Sequence, residues 1–169
     1  MASKVLTYFD SIIYVASTFC VGLQNSSGRC SVFIANGTPA STSGTRAQMA
    51  RISVSLTCAT SSAPTANTPI KVYLIRSDLG SSGTLAGPVV DYPYTTAGGA
   101  NANEPTGAMC LGSVIVPATA GFVGKQHFDA YDLPPQYAVA IWNNTGQPLG
   151  TASSSQHDIR VTPMYPEAQ

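Results

Sequence analysis

The sequence predicts an all-β chain folded as an antiparallel β-sandwich, and three observations carry that prediction. Arg51-Ile52-Ser53-Val54-Ser55-Leu56-Thr57-Cys58 alternates without a break, so its apolar set faces a core and its Arg/Ser/Thr set faces solvent or a partner. The run Ile70-Lys71-Val72-Tyr73-Leu74 repeats the alternation. Helical periodicity is nearly absent, while short apolar runs recur with Gly, Pro, Ser and Asn between them, the punctuation of a sandwich.

The elements follow in order. Residues 5–9 and 12–20 read as the first strands and 30–35 as the next. The first 14 residues form an extended segment that either joins the sandwich or reaches out as an arm to another subunit. Residues 51–58 form the strand of clearest alternation, and 61–68 are a small-residue linker. Strand 70–76 ends at Asp78-Leu79-Gly80. After it, 80–107 is an irregular loop rich in Gly, Ala, Thr, Asn and Pro, longer than compact domains keep without a role. Strands over 109–116, closed by Pro117, and over 122–128 lead to Pro134-Pro135. Prolines set φ and lack a backbone donor, so the apolar strand 137–142 begins after them. Asn143-Asn144-Thr145-Gly146 then reverses the chain, because Asn and Gly accept positive φ. A terminal strand over 158–163 pairs nearby and closes the sandwich as a hairpin. Pro134, Pro135, Trp142, Asn143 and Gly146 define this closing unit, with Trp142 in the core or at a sheet edge. The expected total is eight to ten strands in two packed sheets.

Composition narrows the function. The 169 residues make one domain, 1–169, large enough to bury a core without disulfide or metal. Charged residues are 9% of the chain, against about 25% in an ordinary globular domain. Net charge is +0, and a charge near zero favours association. The chain therefore reads as a subunit largely covered by protein, in preference to a monomer solubilised by hydroxyls and amides. Its eight basic residues (Lys4, Arg29, Arg46, Arg51, Lys71, Arg76, Lys125, Arg160) stand singly, with no stripe for nucleic acid. No apolar run approaches the roughly 18 residues of a membrane span. Residues 11–23 resemble a signal-peptide core behind Lys4, but Asp10 and Tyr14 interrupt it and no small-x-small cleavage site follows. No signal peptide is expected.

Chemistry-bearing motifs are sparse. There is no Cys-x-x-Cys, and neither His127 nor His157 has a second histidine at ligand spacing, so neither metal nor cofactor is expected. Cys58, in phase with Ile52, Val54 and Leu56, reads as a buried small hydrophobe. Cys20 and Cys30 flank the turn-like Gln24-Asn25-Ser26-Ser27-Gly28; a bridge across a hairpin is open there, with reduced thiols the preferred reading. His127 and Asp129 share one strand face and offer an acid–base pair. The preferred alternative is a solvated strand end where Asp132 makes turn hydrogen bonds. His157 and Asp158 face opposite ways, the acids are scattered, and no phosphate loop or Gly-x-Ser-x-Gly elbow occurs. The chain is not expected to be an enzyme. Tyr92, Tyr94 and Phe122 can line a sugar platform, although a Tyr-Pro-Tyr loop docked on its own sandwich or on a neighbouring subunit is the stronger reading. Three Asn-x-Ser/Thr matches, at Asn25, Asn36 and Asn143, carry no weight in a chain this rich in Ser, Thr and Asn.

Leu111-Gly112-Ser113-Val114-Ile115-Val116-Pro117-Ala118-Thr119-Ala120-Gly121, Phe128-Asp129-Ala130-Tyr131-Asp132-Leu133-Pro134-Pro135 and Ile141-Trp142-Asn143-Asn144-Thr145-Gly146-Gln147-Pro148-Leu149 stand in the C-terminal third. This pattern resembles small virion proteins of tailed bacteriophages. The resemblance implies a jelly-roll-like sandwich that decorates a capsid as a cement protein, bridging major capsid subunits. The alternative it implies is a tail-fibre, spike or other receptor- or glycan-binding virion domain. The partners expected are the major capsid protein and copies of the chain itself, as dimer or trimer, on the capsid surface after synthesis in the host cytoplasm. Val5, Tyr8, Phe9 and Tyr14 of the N-terminal segment, with Tyr92 and Tyr94 of the long loop, are the candidate contacts.

Overall fold

Alternating sequence becomes two facing sheets. A computed structural model describes residues 6–9, 11–36, 46–77, 103–105, 107–151 and 156–167. Its strands are β1 (Leu6–Phe9), β2 (Ile13–Val15), β3 (Ser27–Cys30), β4 (Ile34–Ala35), β5 (Met49–Thr57), β6 (Thr68–Ser77), β7 (Met109–Val116), β8 (Val123–Tyr131), β9 (Gln136–Asn143) and β10 (Asp158–Glu167), with one 3-10 turn, η1 (Ser17–Cys20). Sheet I runs β1-β10-β5-β8, with β2 also on β10, and sheet II runs β3-β9-β6-β7, with β4 also on β9. All the pairings are antiparallel. With β1/β2 and β3/β4 each taken as one interrupted edge strand, the chain visits the sheets in the order I, II, I, II, II, I, II, I. That is the eight-stranded winding of a jelly roll.

The core lies between the sheets. Ile52, Val54 and Leu56 of β5 and Ile159 and Val161 of β10 meet Ile70, Val72 and Leu74 of β6 and Val139 and Ile141 of β9. Cys58 is fully buried among them. Cys20 belongs to this core too, but Cys30 lies in a separate cluster on the other face of sheet II, and both are free thiols. The open alternative of a Cys20–Cys30 bridge is thereby resolved in favour of thiols.

Four expectations are corrected. Strands β9 and β10 form no hairpin: β9 is central in sheet II and β10 is central in sheet I. The connection between them crosses the end of the sandwich, pinned by buried Leu149, whose N–H bonds Leu23 O at 2.9 Å and which bridges to Cys58. The terminal strand also continues to Glu167. The expected strand 12–20 stops at Val15, and η1 turns Phe19 and Cys20 into the core while Ser17 Oγ donates to His157 O at 2.7 Å. The expected strand 30–35 breaks at Ser31. Its N–H still donates to Val139 O (2.9 Å), but its Oγ takes the place of a backbone carbonyl in accepting from Val139 N (3.1 Å).

The Pro-Pro and Asn-Asn-Thr-Gly breaks stand where the sequence places them. The carbonyls of Pro134 and Pro135 accept from buried Asn36, through Nδ2 (3.0 Å) and N (2.8 Å). Asn143 Nδ2 donates to Leu23 O (2.9 Å) and Gln147 O (2.8 Å), while its Oδ1 accepts from Thr145 N and Oγ1. Gly146 takes φ +79°, which a side chain would strain, and donates to Asn25 Oδ1 at 2.7 Å. Burial of Asn36 and Asn143 closes two of the three Asn-x-Ser/Thr matches to modification.

Candidate functional site

The outer face of sheet I is a grid set by register, because directly opposed residues on paired strands share a face. One row is Phe9–Met164–Met49–Tyr131, spanning β1, β10, β5 and β8. Below it lies Thr162–Arg51–Asp129, then Tyr14–Arg160–Ser53–His127, then Asp158–Ser55–Lys125. The β1/β2 margin of this grid is apolar and open: Phe9, Ile12 and Tyr14 keep 51%, 46% and 69% of their surface exposed. The first row is apolar throughout. Met164 is buried, Met49 half-buried and Tyr131 exposed. Beside it lies an open depression of ≈ 860 Å³ lined by Arg46, Ala47, Gln48, Met49, Tyr131, Asp132 and Leu133.

Charge on this face is mostly cancelled internally. Arg51 grips Asp129 through two bonds, 2.8 and 3.1 Å, and holds its carboxyl below the usual range; desolvation opposes this and loses. Arg160 pairs with Asp158 at 2.6 Å and lies over the Tyr14 ring, 5.2 Å from its centroid. Lys125 has no ion pair among the described residues. These exposed pairs contribute little to stability. They leave a face that is close to neutral and fringed by apolar side chains.

His127 and Asp129 do share one face of β8, but Asp129 is held by Arg51. His127 lies exposed beside a shallow depression of ≈ 450 Å³ with Lys125, Ser53, Ser55 and Arg160. Asp132 sits at the end of β8 with φ +54°, its carbonyl and Oδ2 both accepting from Arg76. His157 is buried and Asp158 half-buried, on opposite faces as expected. No group of three or more His, Cys, Asp or Glu among the described residues could hold a metal ion.

The outer face of sheet II carries an unexpected second cluster: Cys30, Tyr73, Ile75, Ala138, Ala140 and Trp142, with Phe33 and Ala108 packed on it. This places Trp142 on the far side of the sheet from the main core. Glu104 lies across it, accepting from Lys71 Nζ at 2.6 Å and from the Tyr73 hydroxyl. Desolvation raises the Glu104 carboxyl, but the Lys71 and Tyr73 hydrogen bonds and the Lys71 charge outweigh it and hold the group below its ordinary value.

Of the expected contacts, Phe9 and Tyr14 lie along one exposed margin. Tyr8 pairs with Tyr165 in the β1–β10 ladder. Residues 6–9 and 13–15 thus join sheet I, settling that choice for this stretch against a free arm. Val5, Tyr92 and Tyr94 lie outside the described residues, as does most of the 80–107 loop. Sequence reading missed Met49, Tyr131 and Met164. Only cross-strand register aligns them, and no local pattern encodes it. No helix among the described residues is long and apolar enough to cross a membrane. No known protein family matches the chain, and no curated protein matches it in sequence.

Proposed function

We propose that this chain is a virion structural protein of a tailed phage, a capsid decoration protein that cements the shell by bridging neighbouring major capsid subunits. A jelly roll hosts many functions, so the reading rests on surface, not on winding. The observation that carries it is the exposed margin of Phe9, Ile12 and Tyr14 beside a near-neutral sheet face. Apolar side chains grouped in this way favour contact with another protein. A chain with 9% charged residues and net charge +0 points the same way. Each copy adds interface area across a capsomer junction, so internal pressure must break more contacts before the shell parts.

Removal tests the reading. Particles lacking this protein rupture at lower temperature than wild type and regain stability when purified protein is added back. Particles that survive heating unchanged but fail to adsorb to host cells overturn it in favour of the receptor-binding alternative.

A further inference from the structure

Edge strands offer unpaired N–H and C=O groups to any partner strand, and sheets are commonly protected by interrupted, bulged or very short edges. Among the described residues the two sheets have four edges, and three of them are protected in this way. The β1/β2 edge is interrupted between Phe9 and Ile13, and the β3/β4 edge between Cys30 and Ile34. The β7 edge carries a register shift opposite Val72/Tyr73, where Gly112 takes φ +151°. The fourth edge, β8, is nine residues long and pairs with β5 in nine consecutive register positions without a bulge. Lys125, Gln126 and His127 are exposed in succession at its centre, so both faces of the strand are open there.

The sequence of β8 is complementary to itself when reversed. His127 is its middle residue. A two-fold axis through His127 sets each Lys125 against the other copy's Asp129, and each Val123 against the other copy's Tyr131. All five of these positions are exposed: Val123, Lys125, His127, Asp129 and Tyr131. On the opposite face the same register pairs Gly124 with Ala130 and Gln126 with Phe128. Opposite charges and apolar–aromatic pairs directly across strands are stabilising, and an isologous contact makes each of them twice.

We infer that two copies of this chain pair antiparallel along their β8 edges about a two-fold axis at His127, joining their first sheets into one continuous sheet. Lys125, without an ion pair among the described residues of its own chain, meets the carboxylate that Arg51 already orients. Asp129 can accept from both cations, because a carboxylate has about four acceptor sites. The dimer places the two Phe9–Tyr14 margins at opposite ends of the joined sheet, a spacing suited to bridging. The pairing needs no capsid, so its failure and the failure of the cement reading are separable.

The full chain in solution tests it by sedimentation. Wild type sediments as a dimer at about 100 μM. Lys125→Glu and Asp129→Lys each oppose like charges across the axis and raise the dimer Kd about tenfold. Mixing the two variants restores the ion pairs and the dimer. His127→Cys in a Cys110→Ser background forms an intermolecular disulfide on oxidation, since directly opposed strand residues lie within disulfide reach. The control Ile115→Cys in that background, on β7, forms none. A monomeric or trimeric wild type overturns the inference, as does a dimer that neither charge variant weakens or that fails to cross-link at position 127.

Discussion

Four cysteines in one chain behave as two chemical classes, because burial decides whether a thiol can ionise. Burial pushes the Cys30 thiol up to about 11, against a smaller lowering from a backbone hydrogen bond. Cys20 is raised further by burial, which the nearby Arg29 charge offsets only in part. Burial also raises Cys58, while Cys110 is exposed. The thiolate is the reactive form. Iodoacetamide should therefore label Cys110 alone in the native protein and all four cysteines in denaturant, with peptide mapping as the readout. His157 is a second residue-scale device. It is 3% exposed, its Nδ1 accepts from Thr57 N (3.4 Å) and its Nε2 faces Gly150 O (3.1 Å). This pairing assigns the neutral tautomer with the proton on Nε2. Desolvation lowers its pKa, and the Gly150 carbonyl offsets that only in part. The unfolded chain therefore binds the proton first as pH falls. Stability declines once pH drops below about 6.5, and the decline levels off below the lowered folded value. Urea midpoints measured between about pH 7.5 and 5 should show this slope, and His157→Gln should flatten it.

At the scale of elements, β9 explains why its sequence reads as one apolar run. Its residues from Tyr137 to Asn143 are all buried, with Tyr137, Val139 and Ile141 in the main core and Ala138, Ala140 and Trp142 in the outer cluster of sheet II. A strand covered on both faces has no polar alternation to show. Glu104 fastens the covering segment through Lys71 and Tyr73. Trp142, the sole tryptophan, lies beneath and reports on that attachment. Glu104→Ala should red-shift its emission at neutral pH while leaving the strand content seen by far-UV circular dichroism unchanged. The β7 edge depends on Gly112, where an added Cβ would lie 2.5 Å from the Phe128 ring at a φ of +151°. Gly112→Ala should destabilise the protein by about 1–3 kcal/mol in denaturant titration, through backbone strain and overpacking together.

For the whole molecule, a near-neutral jelly roll with an apolar margin suits a building part that meets other surfaces. Phe9, Ile12 and Tyr14 are each about half exposed or more, so polar replacements there disturb folding little. On the proposed docking, burying each against the shell would stabilise the complex by roughly 1 kcal/mol, about half of full side-chain burial. The triple variant Phe9→Ser, Ile12→Ser, Tyr14→Ser should bind shells about a hundredfold more weakly. Its thermal midpoint should stay close to wild type. Unchanged shell occupancy in a binding titration would place the contact elsewhere on the molecule.

Properties carried within a few neighbouring residues were legible before any fold was known. Period-2 alternation made β5 and β6 legible, Pro134-Pro135 and Asn143 to Gly146 marked where β9 begins and ends, and Cys58 declared its burial through its phase. Phe9 and Tyr14 were legible as apolar residues in an extended segment, and their common margin was not. Sheet membership was decided only by tertiary structure. The strands β9 and β10 are neighbours in sequence and lie in different sheets, because a jelly roll sends successive strands across the sandwich, and local pattern is the same for a hairpin and a crossover. The rows of the outer face, from Phe9 to Tyr131 and from Tyr14 to His127, exist only once register is set between strands far apart in the chain. Register follows from how the whole core packs, since a one-residue slip would turn every buried side chain outward.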